Sequence, residues 1–107
     1  MVSIDDFAKI EMRIGTVVSC EAHPNADKLI VLNVDLGEEE PRQLVAGLRK
    51  WYEPADLVGQ QVVVLVNLEP AVLRGVESRG MLLAVSDDDG VAILTVNRPT
   101  KPGSKIS

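Results

Sequence analysis

His23 is the only histidine and Cys20 the only cysteine of this chain, which limits the chemistry it can perform. A zinc site draws three or four ligands from these residue types, and two are too few. His23 precedes Pro24 in a loop-like stretch, a poor setting for a Ser-His-Asp triad. Asp5 and Asp6 fit the solvated start of a helix better than an acid/base pair. No glycine-rich phosphate loop is present. The residues therefore predict a binding module, with no catalytic residue, metal or cofactor.

Groups able to hold an anion are more plentiful. Leu73-Arg74-Gly75-Val76-Glu77-Ser78-Arg79-Gly80-Met81 carries two arginines that can reach phosphates and a hydroxyl that can donate to one. Gly75 and Gly80 permit close backbone approach. Met81 either packs against a base or ribose or faces the core, and spacing alone favours the core. In His23-Pro24-Asn25-Ala26-Asp27-Lys28-Leu29, Asn25 and Asp27 suit an Asx-turn. His23 and Lys28 stand equally as ligand contacts and as ordinary loop residues. Trp51 and Tyr52 adjoin Arg49 and Lys50, a basic-aromatic cluster of the kind on which bases stack. For Trp51 the favoured reading is a cap over one end of a barrel.

The elements that would position these groups are mostly strands. Ser3 is an N-cap candidate for a short helix to Ile10, with Ile4, Phe7, Ala8 and Ile10 near helical spacing. Met12 to Glu21 reads as a strand with Met12, Ile14, Val18 and Cys20 on one face, and Gly15 suggests a bulge or sharp coil. Lys28 to Leu36 follows, with Ile30, Leu32, Val34 and Leu36 buried. Arg42 to Ala46 is a third strand. Pro54 and Gly59 bracket a short helix. Gln61 to Leu68 is apolar on both sides, the pattern of a strand covered on both faces. Pro70 to Gly75 reads as a loop, Gly80 to Ser86 as a fifth strand and Val91 to Val96 as a sixth. The tail from Arg98 to Lys105 is polar and Pro-rich. Three strands, a helical insert and two strands predict an all-β fold, a five-stranded OB barrel. An N-terminal helix and an extra C-terminal strand are left over, and their apolar residues need a cover.

The 107 residues suffice for one domain, taken as residues 1–107. Apolar residues make up 46% of the chain and only three residues are aromatic, so the core must be aliphatic. A net charge of −5 is unusual for a chain that would bind phosphates. The acids concentrate, however, in Glu38-Glu39-Glu40 and Asp87-Asp88-Asp89, both beside turns. That leaves Arg42, Arg49, Lys50, Arg74, Arg79, Arg98, Lys101 and Lys105 free to share a face. A lone cysteine in a strand acts as a small apolar residue and suits a reducing interior. The N-terminus has no signal-peptide pattern and no apolar run is long enough to span a membrane. The expected setting is cytoplasmic.

Several of these motifs, in order, resemble the tRNA-binding domain appended to methionyl-tRNA synthetases. They are His23-Pro24-Asn25-Ala26-Asp27-Lys28-Leu29, Val34-Asp35-Leu36-Gly37, Arg42-Gln43-Leu44-Val45-Ala46-Gly47 and Tyr52-Glu53-Pro54 with Leu57-Val58-Gly59. Glu77-Ser78-Arg79-Gly80-Met81-Leu82-Leu83-Ala84, Asp6-Phe7-Ala8-Lys9-Ile10 and Pro102-Gly103-Ser104-Lys105-Ile106 complete the likeness. Relatives include a free-standing structure-specific tRNA-binding protein, the EMAP II-like domain and the export-related chaperone CsaA. The resemblance implies an OB fold, a homodimer joined through the two leftover elements, and recognition of the L-shape of tRNA with little base readout. It implies assistance to aminoacylation, with an aminoacyl-tRNA synthetase as a partner. It places Ser78 and Met81 in the stretch that contacts tRNA. With the basic residues above, the expected tRNA-binding set is Lys28, Arg42, Arg49, Lys50, Arg74, Ser78, Arg79 and Met81. The chain departs from the family in carrying Val72, Gln60 and Gln61 where basic residues are common. The alternative is a CsaA-like module that binds exported or unfolded protein through apolar surface.

Overall fold

The computed structural model describes residues 1–107. Five antiparallel strands form its main sheet, in the order β3-β2-β1-β4-β7. These are β1 (Met12–Ala22), β2 (Ile30–Asp35), β3 (Arg42–Ala46), β4 (Gln61–Leu65) and β7 (Met81–Leu82). β1 pairs with β4 through its first half and with β2 through its second, so the sheet curls around one long, coiled strand. Gly15 sits where the two pairings meet. A Cβ there would strike the Val34 side chain and stand 2.8 Å from Leu36 Cδ2. Only a glycine lets β1 cross so close to β2.

The interior is aliphatic, as composition required: Val17, Ile30, Leu32, Val34, Leu36, Leu44, Leu48, Leu57, Val62 and Val64 form one buried cluster. β2 buries Ile30, Leu32 and Val34 as its alternation predicts, and Leu36 follows just beyond. β1 departs from the expectation. Val18 faces solvent and Val17 is buried, because Val17 pairs with Val34 while Ser19 pairs with Asn33. Val18 is the extra residue of a bulge, and one inserted residue flips the facing of a strand. Cys20 stays on the partly buried side, where burial and the neighbouring Glu21 carboxylate push its thiol up to about 11. It is therefore protonated at neutral pH, in keeping with its reading as a small apolar residue.

A one-turn helix, α2 (Pro54–Leu57), lies between β3 and β4 and drives Leu57 into the core. The chain then returns to the barrel through Gly59 N–H to Val17 O at 2.8 Å. At the N-terminus, α1 spans only Ile4–Phe7, capped by Ser3 Oγ accepting from Asp6 N–H at 3.1 Å. It buries none of its residues, and Ile4, Phe7 and Ile10 remain exposed.

The second half of the chain differs most from expectation. Residues 70–75, read as a loop, fall in a hairpin of β5 (Ala71–Leu73) and β6 (Val76–Ser78). The strand expected over 80–86 breaks at Leu83: β7 pairs with β4, while β8 (Ala84–Asp87) pairs with β9 (Gly90–Ile93) in a separate ribbon. β9 ends at Ile93, short of the expected Val96. The Pro-rich tail is ordered against the barrel, its backbone bonding along Met12 to Ile14 on the edge that β2 leaves free. Gln61 fastens it, exchanging two hydrogen bonds with the Thr100 backbone at 2.7 and 2.9 Å.

β3 and β7 close the barrel without a ladder between them. Arg79 N–H donates to Gln43 O at 2.9 Å, and Gln43 Nε2 donates to Glu77 O at 2.7 Å. Ser78 Oγ accepts from Val45 N–H and donates to Gly80 O, both at 3.0 Å. Arg42 Nη1 reaches Val66 O at 2.6 Å and Arg79 O at 3.2 Å. Ser78 is the buried centre of this seam, 5% exposed. Ser78→Ala strands the buried Val45 N–H and is expected to cost about 1–3 kcal/mol. Urea unfolding measures it: the midpoint should fall at unchanged slope. A drop below about 0.5 kcal/mol, the size of an ordinary surface effect, would mean that the seam does not rely on this hydroxyl.

Candidate functional site

The chain holds eleven Lys and Arg residues, and five are spent on carboxylates. Lys9 pairs with Asp6, Arg13 with Glu11, Arg42 with Glu38, Arg49 with Glu53 and Arg79 with Glu77. Lys28, Lys50, Arg74, Arg98, Lys101 and Lys105 have no acidic partner. Arg98, Lys101 and Lys105 belong to the C-terminal segment. The other three, all expected to touch ligand, gather around the β1–β2 loop.

That loop is held by its histidine. His23 is buried, and its Nδ1 accepts from Asn25 N–H at 2.9 Å. The ring proton therefore sits on Nε2, which donates to Leu73 O at 2.8 Å. Asn25 and Arg74 reinforce the junction through longer bonds to one another's backbone carbonyls. The loop is thereby clamped to the tip of the β5–β6 hairpin. Arg74 has φ 54° and Gly75 φ 90°, the paired left-handed conformations of a type I′ turn. An arginine in this conformation is uncommon and is tolerated where surrounding contacts hold it. His23 is thus a structural clamp with no ring nitrogen left over.

Lys28 and Lys50 face a common cleft of about 420 Å³ with Leu29, Gly47 and Trp51. Arg49 N–H bonds to Lys28 O at 3.3 Å, which ties the two walls together, and Trp51 N–H bonds to Leu48 O at 3.0 Å within one wall. Lys50 Nζ lies 5.5 Å from the centre of the Trp51 ring, a cation–π distance. Trp51 is 42% exposed and does not act as the expected barrel cap. Tyr52 takes that part: it packs on the core and its hydroxyl accepts from Ile93 N–H at 3.1 Å.

The remaining members of the expected set separate into two groups. Met81, favoured by spacing for the core, is 47% exposed and borders an apolar groove with Val45, Leu48, Ala84 and Val91. Arg79 is exposed next to Glu77. Arg42 and Ser78 are committed to the barrel seam. The Arg42 side chain is only 16% exposed, and the Ser78 proton is engaged by Gly80 O. Asp87 and Asp89 line a different cleft, on the Trp51–Val91 side. No group of three or more His, Cys, Asp or Glu residues is arranged to hold a metal ion. No helix is long and apolar enough to cross a membrane.

Sequence reasoning missed the clamp and the cleft. The His-Pro-Asn run marked a loop but not its distant partner, Leu73. Gly47 and Leu29 carried no signal for a cavity.

Comparison with known proteins places this architecture. Residues 12–105 match the putative tRNA binding domain family. The methionine–tRNA ligase of Thermococcus kodakarensis is 53% identical over 105 residues, 98% of this chain and 14% of that enzyme. The ligase of Deinococcus radiodurans is 60% identical over 90 residues, 84% of this chain and 13% of that enzyme. The chain thus corresponds to a small part of these ligases. Among solved structures, a MetRS-related protein from Pyrococcus horikoshii superposes with TM-score 0.92 at 34% identity, covering 100% of this chain and 98% of that one. The chaperone CsaA of Bacillus anthracis superposes with TM-score 0.89 at 37% identity, covering 100% and 99%.

His23→Ala removes the acceptor for Asn25 N–H and the donor to Leu73 O, at an expected cost of about 1–3 kcal/mol. Amide exchange should speed up in Val72 to Ser78 while the β1–β2 and β1–β4 amides keep their protection. Uniform acceleration across all strands would contradict a local clamp.

Proposed function

The chain belongs to the putative tRNA-binding domain family, and from that premise we propose that it is a homodimeric, non-catalytic module that holds folded tRNA for aminoacylation. Its place of action is the cytoplasm. Its partner is a methionine–tRNA ligase, either as the rest of one polypeptide or as a separate subunit. The observation that carries the reading is the gathering of Lys28, Lys50 and Arg74, without acidic partners, around the β1–β2 loop of a chain with net charge −5. Phosphates are the natural complement of such a group, and their neutralisation releases counterions. Arg49 and Arg79 stand at its margin. Arg42 and Ser78 serve the same surface indirectly, by fixing the seam from which Arg79 and Met81 project.

Shape is the basis of recognition. Lysines and arginines reach phosphates and 2′-hydroxyls, which every tRNA presents in the same fold. Bulk tRNA should bind in a gel-shift titration, and unrelated tRNAs should agree within about tenfold, roughly 1.4 kcal/mol. Unfolded RNA of equal length should bind more weakly. Replacing Arg74 and Arg79 by alanine should weaken binding and lower the salt slope by roughly 0.7–0.9 for each phosphate left without its cation. Equal binding of unfolded RNA, or an unchanged slope, would defeat the reading.

The dimer rests on α1, whose Ile4 and Phe7, with Ile10 just beyond it, are exposed. A two-fold interface covers one such patch with its copy. Light scattering at micromolar concentration should return twice the mass of the chain, and the monomer mass would exclude the dimer.

A second reading, a chaperone-like module for unfolded protein, draws on the likeness to CsaA and on the apolar groove beside Met81. Capture of a reduced, unfolded protein in place of tRNA would favour it.

A further inference from the structure

We propose that the cleft between the β1–β2 loop and Trp51 receives one unstacked nucleotide of the bound RNA, its base against the indole and its phosphate between Lys28 and Lys50. This goes further than the tRNA reading and rests on it. The cleft's chemistry is that of a nucleotide: an apolar floor from Leu29 and Gly47, an aromatic wall from Trp51 and two ammonium groups, in about 420 Å³. Neither lysine has a carboxylate partner, although acids outnumber bases sixteen to eleven in the chain. Two lysines without a carboxylate partner at one cavity mark a place for an anion.

The cleft is also preformed. Gly90 has φ 137°, and a Cβ there would collide with Trp51 Nε1, so the β8–β9 turn lies against the indole edge and fixes its orientation. Asp87 and Asp89 line the cleft on that side of Trp51 and repel phosphate there. The RNA backbone is thereby directed to the lysine side. Gly47 leaves room in the floor, because a Cβ at that position would meet only Leu29 Cδ2, at 4.0 Å. One stacking platform is compatible with recognition by shape, since every base has a π-face and such stacking is tolerant of sequence.

Trp51 is the only tryptophan, so its fluorescence reports the cleft in the intact chain. Adenosine 5′-monophosphate and a single-stranded adenosine trinucleotide should quench it saturably, the trinucleotide at lower concentration. Ribose 5-phosphate, which has no base, should not. Lys28→Gln with Lys50→Gln should weaken the trinucleotide by about tenfold or more, as expected when phosphates lose their cations. Gly47→Val should fill the floor and abolish quenching. The lysine pair, exposed at the surface, provides the second variant if Gly47→Val does not fold. Absence of saturable quenching, equal quenching by ribose 5-phosphate, or nucleotide affinity unchanged in either variant would overturn the cleft. Gel shifts with bulk tRNA separate the two levels. Retained tRNA binding without nucleotide quenching overturns the cleft alone, and loss of both overturns the tRNA reading with it.

Discussion

The barrel depends on a join made mostly by side chains. β3 and β7 do not meet in a ladder, so the backbone groups along their edges must find other partners. Ser78, Gln43 and Arg42 join β3 to residues 77–80, the segment leading into β7, with one backbone bond from Arg79. A buried N–H without a partner costs as much as a sizeable fraction of a small domain's stability. The Ser78 hydroxyl, accepting from Val45 N–H and donating to Gly80 O, satisfies one buried N–H and one carbonyl with one side chain. Gly80 permits this approach, with φ 147° and Leu44 and Leu65 standing 3.0 Å from where a Cβ would be.

The seam and the candidate site are coupled through the β5–β6 hairpin. One end of the hairpin carries Ser78 into the seam, and the other, at Leu73 and Arg74, docks on His23 and Asn25. The β1–β2 loop is therefore placed by the same element that closes the barrel. Lys28, at the end of that loop, takes its position relative to Lys50 and Trp51 from this chain of interactions. Although the net charge is negative, five of the acids pair with other bases, and Lys28, Lys50 and Arg74 are left without a carboxylate partner around the β1–β2 loop.

Much of the architecture was legible from residue order. The aliphatic core followed from the shortage of aromatics, β2 from its strict alternation, and the Ser3 cap from one hydroxyl three residues before Asp6. The succession of three strands, an insert and further strands pointed to the barrel. The motifs from His23 to Met81 pointed to the family whose match covers residues 12–105. Of the residues expected to bind, Lys28, Lys50 and Arg74 are exposed and have no carboxylate partner, while Arg49 pairs with Glu53. Ser78 and Arg42, chosen for the same purpose, proved to be internal fastenings, and Met81 proved exposed.

Periodicity and turn chemistry act within a few residues, so the sequence alone determined most strands of the main sheet and the inward face of β2. Val17 rather than Val18 points inward because a bulge arises from pairing with β2, a partner remote along the chain, which no local pattern encodes. The hairpin at 71–78 escaped for a related reason: Arg74-Gly75 lacks the asparagine that usually announces a type I′ turn, and bonds from His23 and Asn25 hold the arginine in its left-handed conformation. Whether a basic residue is free or paired is likewise a matter of distance between remote side chains. Tertiary structure alone decided that Arg42 belongs to the seam and that Lys28 and Lys50 open onto one cleft beside Trp51.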